Sequence, residues 1–123
     1  MTVGVISHHL CNGHNMGDFH PESPARINAV QDQLIRSGLE YVIRQIDATP
    51  LERQYLSLAH DIEYIQYIFD NAPSEGLFHL DDDTAMNSNS LTAALYSAGA
   101  AKDAVDLVMS GELNAAFCLT RPP

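Results

Sequence analysis

The 123 residues carry a formal net charge of −10, from 16 acidic and 6 basic residues, and 46% of them are hydrophobic. A chain of this length can bury one core, whereas its acidity excludes non-specific nucleic-acid binding, which needs a basic surface, and is compatible with a cationic ligand. Two cysteines, Cys11 and Cys118, with no charged-then-apolar leader and no apolar run of membrane-spanning length, predict a protein of the reducing cytoplasm.

Strand and helix alternate at the start of the predicted order. Val3 to Ile6 is a short apolar run typical of a buried strand, and a polar loop continues to Ser23. Ser23 and Pro24 are typical of a helix start, and Gly38 of a left-handed helix end. Between them, four apolar residues at helical spacing are predicted to face a core: Ile27, Val30, Leu34 and Ile35.

A second strand and two further helices are predicted next. Tyr41 to Ile46 is rich in β-branched and aromatic residues, which favour a strand. The capping box Thr49-Pro50-Leu51-Glu52 predicts a brief helix that begins near residue 50. A third helix is predicted from His60-Asp61, with four apolar residues facing inward: Ile62, Ile65, Ile68 and Phe69.

The last third of the chain is predicted to contain a loop, the longest helix and a third strand. Pro73 to Asn89 has turn residues, three consecutive aspartates and no periodicity, which indicates a long loop. Ser90 to Ser110 has apolar residues at helical spacing, Val105 and Met109 among them, and small residues around Gly99 that allow close backbone approach. Ala115 to Leu119 is the third strand. This alternation predicts an α/β fold with a mainly parallel sheet covered on both faces.

The segment that carries most functional information is His20-Pro21-Glu22-Ser23-Pro24-Ala25-Arg26-Ile27. It closely resembles the His-Pro-Glu-x-Pro-x-Arg-(Ile/Leu) segment of the zinc-dependent histone deacetylase family, in the class II-like branch of bacterial deacetylases, acetylpolyamine amidohydrolases and acetoin-utilisation proteins. Further similarities follow in the family's order: Cys11 to Gly17, Ala59-His60-Asp61 with Tyr64-Ile65, Asp83-Thr84, Ser97 to Ala101, and Asn114 to Pro123.

The resemblance implies a partial arginase/deacetylase-like three-layer α/β/α fold with about three of its eight central strands. Residues 1–123 would be the N-terminal part of a single deacetylase domain. The family's tandem histidines, Asp-x-His and second Asp zinc ligands and transition-state tyrosine would all lie beyond Pro123. We therefore expect zinc-dependent hydrolysis of acetyl-lysine or acetylpolyamine amides in the parent protein, and no activity in this chain alone.

Two residues receive specific roles from the resemblance. Asp83 matches the aspartate with which deacetylases hold substrate backbone N–H groups at the pocket rim, and a carboxylate suits this task because it only accepts hydrogen bonds. Arg26 matches the arginine that gates the internal cavity behind the active site. It also stands in the first turn of a predicted helix, where the helix dipole disfavours a cation, so we expect a carboxylate such as Glu22 beside it.

The histidine-rich first loop raises the question of a structural metal. Class IIa members of the family hold zinc with a His-x-Cys pair and the histidine of the His-Pro-Glu motif, and His9, Cys11 and His20 are similar in type and spacing. A complete zinc site needs four ligands, and the family's fourth cysteine has no counterpart, although His14 or His79 has a suitable side chain. The alternative is a loop held by hydrogen bonds. The tandem pair His8-His9 and the triplet Asp18-Phe19-His20 receive no catalytic role, because the family's versions follow later strands.

Two other functional hypotheses stay open at this stage. The chain could be a catalytically inactive binding or scaffold module of the same fold, or its parent could use the fold for a related ligand without deacetylase activity. In either case, a sheet that lacks its later strands has open edges, so we expect the 123-residue chain to self-associate.

Overall fold

The computed structural model describes residues 1–123 and contains one parallel sheet with helices on both faces. Its strands are β1 (Val3–Ser7), β2 (Ile43–Asp47), β3 (Phe78–His79), β4 (Ala85–Met86) and β5 (Ala115–Cys118), and its α-helices are α1 (Ala25–Arg36), α2 (Ile62–Asp70) and α3 (Ser90–Met109). Short 3-10 helices cover His9–Gly13, Leu39–Tyr41 and Arg53–Leu58. No helix is both long and apolar enough to cross a membrane.

The sheet has the strand order β2-β1-β5, and both pairings are parallel. Val3 lies opposite Ile43 on one side and Ala115 on the other, so the three strands run in step. β3 and β4 form a separate two-stranded antiparallel hairpin. The predicted α/β class with a parallel three-stranded sheet is confirmed.

Successive residues of β1 supply the two halves of the core, because side chains alternate between the faces of a strand. Val5 packs with Cys11, Ile27 and Leu119 on the α1 side. Ile6 packs on the α3 side with three alanines: Ala48, Ala100 and Ala104. The predicted three-layer arrangement follows from these two clusters.

The predicted helix near residue 50 is wrong. Glu52 has extended backbone angles, and the turn that follows is a 3-10 helix from Arg53. The reciprocal bond of a capping box is absent, because the backbone N–H of Thr49 donates to the carboxylate of Asp103 on α3, at 2.7 Å, and Oε2 of Glu52 accepts from Gln54. A contact 54 residues away thus replaces the local cap.

Two other predictions need correction. The stretch predicted as one long loop contains the β3–β4 hairpin, whose two-residue strands are too short to produce a period. Two apolar residues predicted to face inward, Ile35 and Ile62, are exposed, and so are Val105 and Met109 at helical spacing on α3. Periodicity identified these helices correctly but overestimated how much of each is covered.

The chain leaves a large surface exposed, including several large apolar side chains. The chain exposes 7818 Å² at 13.5 kDa, whereas a globular protein of this mass exposes about 6500 Å². β5 lies at one edge of the sheet, and Phe117 on it is 52% exposed. We predict that the 123-residue chain sediments as a dimer or larger species, because open strand edges and apolar faces favour pairing.

The edge strand offers a variant that tests this prediction. Phe117→Lys should shift the chain towards the monomer, because a charge on an edge strand opposes strand pairing. Leu58→Lys is the matched control at an exposed leucine outside the sheet and should leave the assembly state unchanged. A compact wild-type monomer at micromolar concentration in sedimentation velocity would contradict the prediction.

Candidate functional site

A fully buried arginine joins the end of the chain to the first loop. Arg121 has no exposed surface, and its guanidinium donates two hydrogen bonds to Glu22, from Nε to Oε1 at 2.9 Å and from Nη2 to Oε2 at 2.6 Å. Its Nη1 donates to the backbone carbonyls of Cys11, at 3.2 Å, and His14. This pattern satisfies the charge with a bidentate carboxylate and two carbonyls, as a buried guanidinium requires.

The carboxylate of Glu22 is held in its ionised form. Burial acts to raise the pKa of Glu22, but the hydrogen bonds and charge of Arg121 oppose it, and the net pKa lies below the ordinary value of 4.5. The positive charge of Arg26 contributes in the same direction. Glu22 therefore remains a charged partner for Arg121 at neutral pH.

His14 connects this ion pair to the start of α3. Its Nδ1 lies 2.7 Å from Oγ of Ser90, and its Nε2 lies 3.8 Å from Glu22. Burial, followed by the charge of Arg121, lowers the pKa of His14 below 6.5, although Glu22 acts to raise it. The ring is therefore neutral at physiological pH. Ser90 also bonds Asn87, whose amide donates to the carbonyl of Gly13, so the first loop is attached to α3 twice.

The two lowered pKa values predict a loss of stability in acid. Between the folded pKa of His14 and 6.5 the unfolded chain binds more protons than the folded chain, so the free energy of unfolding should fall as pH decreases through that window. The lowered pKa of Glu22 should likewise reduce the free energy of unfolding as the pH decreases below 4.5. Urea midpoints measured from pH 8 to pH 4 test this, with His14→Gln as the variant that should lose the upper part of the dependence. A rising midpoint below pH 6.5 would contradict it.

His20 contacts Asp83 across the site. Its Nε2 lies 2.9 Å from the backbone oxygen of Asp83 and 3.2 Å from Oδ1 of the same residue. Its Nδ1 accepts a hydrogen bond from the backbone N–H of Glu22 at 3.1 Å. The side chain of Asp83 is otherwise 91% exposed, which leaves its second oxygen available to a ligand.

The turn around Asp83 is braced by its own side chains. Oδ1 of Asp81 accepts from the backbone N–H groups of Asp83 and Thr84, at 2.8 and 2.7 Å. These bonds lower the pKa of Asp81, first through the N–H of Asp83, although desolvation opposes them. The consecutive aspartates therefore have different roles: Asp81 stabilises the turn, whereas Asp83 lines the cavity.

Arg26 contacts a carbonyl group instead of the predicted carboxylate. Its Nη2 donates to the backbone oxygen of Thr120 at 2.7 Å, while Glu22 pairs with Arg121. Glu22 is close enough for the charge of Arg26 to lower its pKa, as expected of a neighbouring carboxylate, but it forms its ion pair with Arg121. The bond ties the first turn of α1 to the residue just before Arg121.

A cavity of about 500 Å³ lies between α2, the β3–β4 hairpin and α3. Most of its lining is apolar and comes from these elements, including Ile65, Phe69, Met86 and Leu91. The polar part of its lining comprises His14, Glu22, Asp83, Thr84 and Ser90, together with His60 and Tyr64. The sequence assigned only Asp83 to a substrate site. It named His14 as a possible metal ligand but did not predict its contact with Ser90, which spans 76 residues.

The donors present do not form a metal site. No group of three His, Cys, Asp or Glu side chains lies close enough to hold a metal ion. Of the three residues considered for a structural zinc, Cys11 is buried with its thiol 4.0 Å from the carbonyl of Ala93, His20 bonds Asp83, and His9 is exposed. These 123 residues therefore do not fit a zinc ion, and no chemical step through a metal is derived from them.

Comparison with known proteins identifies the family. The histone deacetylase domain matches residues 20–123. The chain belongs to the histone deacetylase family. It is similar to a histone deacetylase-like amidohydrolase of Pseudomonas aeruginosa, with 32% identity over 85% of this chain and 27% of that protein. It is also 27% identical to a probable deacetylase of Archaeoglobus fulgidus over its whole length and 34% of that protein.

A solved structure confirms the fold. The crystal structure of the HDA15 HD domain superimposes with a TM-score of 0.91 and 25% sequence identity, over 99% of this chain and 35% of that one. The chain thus spans about a third or less of the length of these relatives.

Proposed function

We propose that these residues form the N-terminal third of the catalytic domain of a zinc-dependent amidohydrolase, which removes acetyl groups from lysine side chains or polyamines. The observation that carries the proposal is the position of Asp83. It presents a largely exposed, oriented carboxylate at a mostly apolar cavity, within the segment that matches the deacetylase domain. The name of the Pseudomonas relative, an amidohydrolase, supports amide hydrolysis as the reaction.

In this proposal Asp83 binds substrate and does not perform the chemistry. A carboxylate accepts hydrogen bonds at both oxygens, and His20 occupies only one of them. The free oxygen can accept an N–H group of a peptide or an ammonium group of a polyamine. The net charge of −10 supports a cationic substrate, but it does not distinguish a peptide from a polyamine.

We assign Arg26 to the gating of an internal cavity in the complete domain. Its bond to the carbonyl of Thr120 is a single contact made by an exposed side chain, which a rotamer change can release. The zinc ion of the complete enzyme would take its ligands from outside these residues. It would supply the polarisation of the amide carbonyl.

The second candidate is a catalytically inactive binding or scaffold module. The mostly apolar cavity, with Asp83 in its lining, would then bind a ligand without hydrolysing it. We also propose a cytoplasmic location, which the free thiols of Cys11 and Cys118 support.

Replacing Asp83 tests the proposed substrate role. In the complete protein, Asp83→Ala should reduce kcat/KM on an acetyl-lysine peptide by about ten- to a hundredfold, equivalent to the loss of charge-assisted hydrogen bonds. Asp82→Ala is the control, because Asp82 is the exposed neighbour of Asp83. Unchanged kinetics in Asp83→Ala with impaired kinetics in Asp82→Ala would contradict the assignment.

A further inference from the structure

His20 and Asp83 form a contact between two distant parts of the chain. The two residues lie 63 positions apart, on the first loop and on the turn of the β3–β4 hairpin. His20 is mostly buried, with 19% of its side chain exposed, whereas the side chain of Asp83 is 91% exposed. A buried donor therefore orients a carboxylate that is otherwise free to rotate in solvent.

The hydrogen bonds around His20 define its tautomer. Nδ1 accepts from the backbone N–H of Glu22, so this nitrogen carries no proton. The proton of the neutral ring is then on Nε2, which faces both the backbone oxygen and Oδ1 of Asp83. A single N–H group thus holds the main chain and the side chain of the same residue.

The backbone on either side of Thr84 is also held in place by hydrogen bonds. The backbone N–H of Asp83 donates to Asp81, and the backbone N–H of Ala85 lies 3.4 Å from the sulfur of Met16 on the first loop. The hairpin is therefore attached to the first loop on both sides of Thr84. The carboxylate Oδ2 is left without a partner, at the mouth of the cavity.

We propose that His20 is a positioning residue, which orients the carboxylate of Asp83 for substrate through its Nε2–H group. The inference rests on the proposed substrate role of Asp83. It assigns to the first residue of the His-Pro-Glu segment the preorganisation of a binding group that would otherwise lose rotational freedom when substrate binds.

The test compares two variants of His20, made in the complete protein, whose new side chains are similar in length. His20→Gln keeps an N–H donor near the position of Nε2, and His20→Met has a similar shape without the donor. We expect His20→Met to raise KM for an acetyl-lysine peptide by about three- to tenfold with kcat nearly unchanged, and His20→Gln to stay within about twofold of wild type. His79→Met, at an exposed histidine on the same hairpin, is the control and should have no effect.

A double variant separates this inference from the proposed function. Because His20 acts through Asp83, His20→Met should change KM by less than about twofold in an Asp83→Ala background. If Asp83→Ala raises KM while His20→Met does not, or if the two effects multiply, the positioning role is overturned and the substrate role of Asp83 stands. If Asp83→Ala has no effect, the substrate role is overturned, and the positioning role with it.

A second measurement does not depend on the folding of the variants. Nitrogen-15 NMR of the wild-type imidazole at pH 8 should find the proton of His20 on Nε2, with Nδ1 unprotonated. A proton on Nδ1 would remove the donor that faces Asp83 and overturn the proposal.

Discussion

Replacing Arg121 with methionine is expected to lower the free energy of unfolding by about 3 kcal/mol or more. The variant removes a fully buried guanidinium and leaves Glu22 charged, with only 18% of its side chain exposed. It also leaves the carbonyls of Cys11 and His14 without the donor that joins them. Loss of one partner of a buried ion pair costs more than the pair contributes, because the remaining charge stays desolvated.

An exposed ion pair is the control for Arg121→Met. Arg44 lies 3.6 Å from Glu112, and both side chains are about half exposed. Arg44→Met should therefore change stability by less than about 1 kcal/mol. Adding Glu22→Leu to Arg121→Met should recover part of the loss by removing the stranded charge. Equal effects of Arg121→Met and Arg44→Met in urea unfolding would show that the buried pair does not join these segments.

Gly99→Ala is expected to be the other severely destabilising substitution. A Cβ atom at position 99 would overlap the backbone oxygen of Thr49 and lie 2.9 Å from the backbone nitrogen of Leu51. Both are main-chain atoms, so relief requires the segment after β2 to move away from α3. That movement would break the bonds from Thr49 to Asp103 and from Leu51 to the carbonyl of Leu95. We expect a cost of about 3 kcal/mol or more, at the upper end for overpacking.

Gly38→Ala separates this steric effect from backbone conformation. Gly38 has a φ angle of 75° and nothing within 4 Å of an added Cβ atom. The same chemical change should therefore cost only about 1 kcal/mol there, from the left-handed backbone alone. A thermal midpoint for Gly99→Ala that matches Gly38→Ala would contradict the close approach of the segment to α3.

Local patterns predicted the elements whose formation depends on neighbouring residues. The ends of α1 are as predicted, with Ser23 accepting from the backbone N–H of Ala25 and Gly38 left-handed, because capping acts within a few residues. The predicted capping box at Thr49 is absent because Asp103, on another helix, accepts the Thr49 N–H that Glu52 would otherwise accept. A local sequence pattern cannot indicate that a residue on a distant helix will accept the same N–H group.

The family resemblance identified the main motif, but it did not predict which residues the side chains of this motif contact. His20 bonds the hairpin turn at Asp83, whereas Glu22 and Arg26 bond the adjacent residues Arg121 and Thr120. These contacts span 63, 99 and 94 residues. Tertiary packing, not local sequence, brings these segments together. The motif therefore joins three parts of the chain, and its conformation depends on all of them.

The most direct test of the account compares acetyl-lysine peptide hydrolysis by the complete protein and by the 123-residue chain, each with and without a zinc chelator. The complete protein should turn over the peptide, and the chelator should abolish this turnover and added zinc restore it. Material whose mass confirms an end at Pro123 should show no turnover. Chelator-sensitive turnover by the 123-residue chain, or no hydrolysis of acetyl-lysine or acetylpolyamine substrates by the complete protein, would contradict the proposed function.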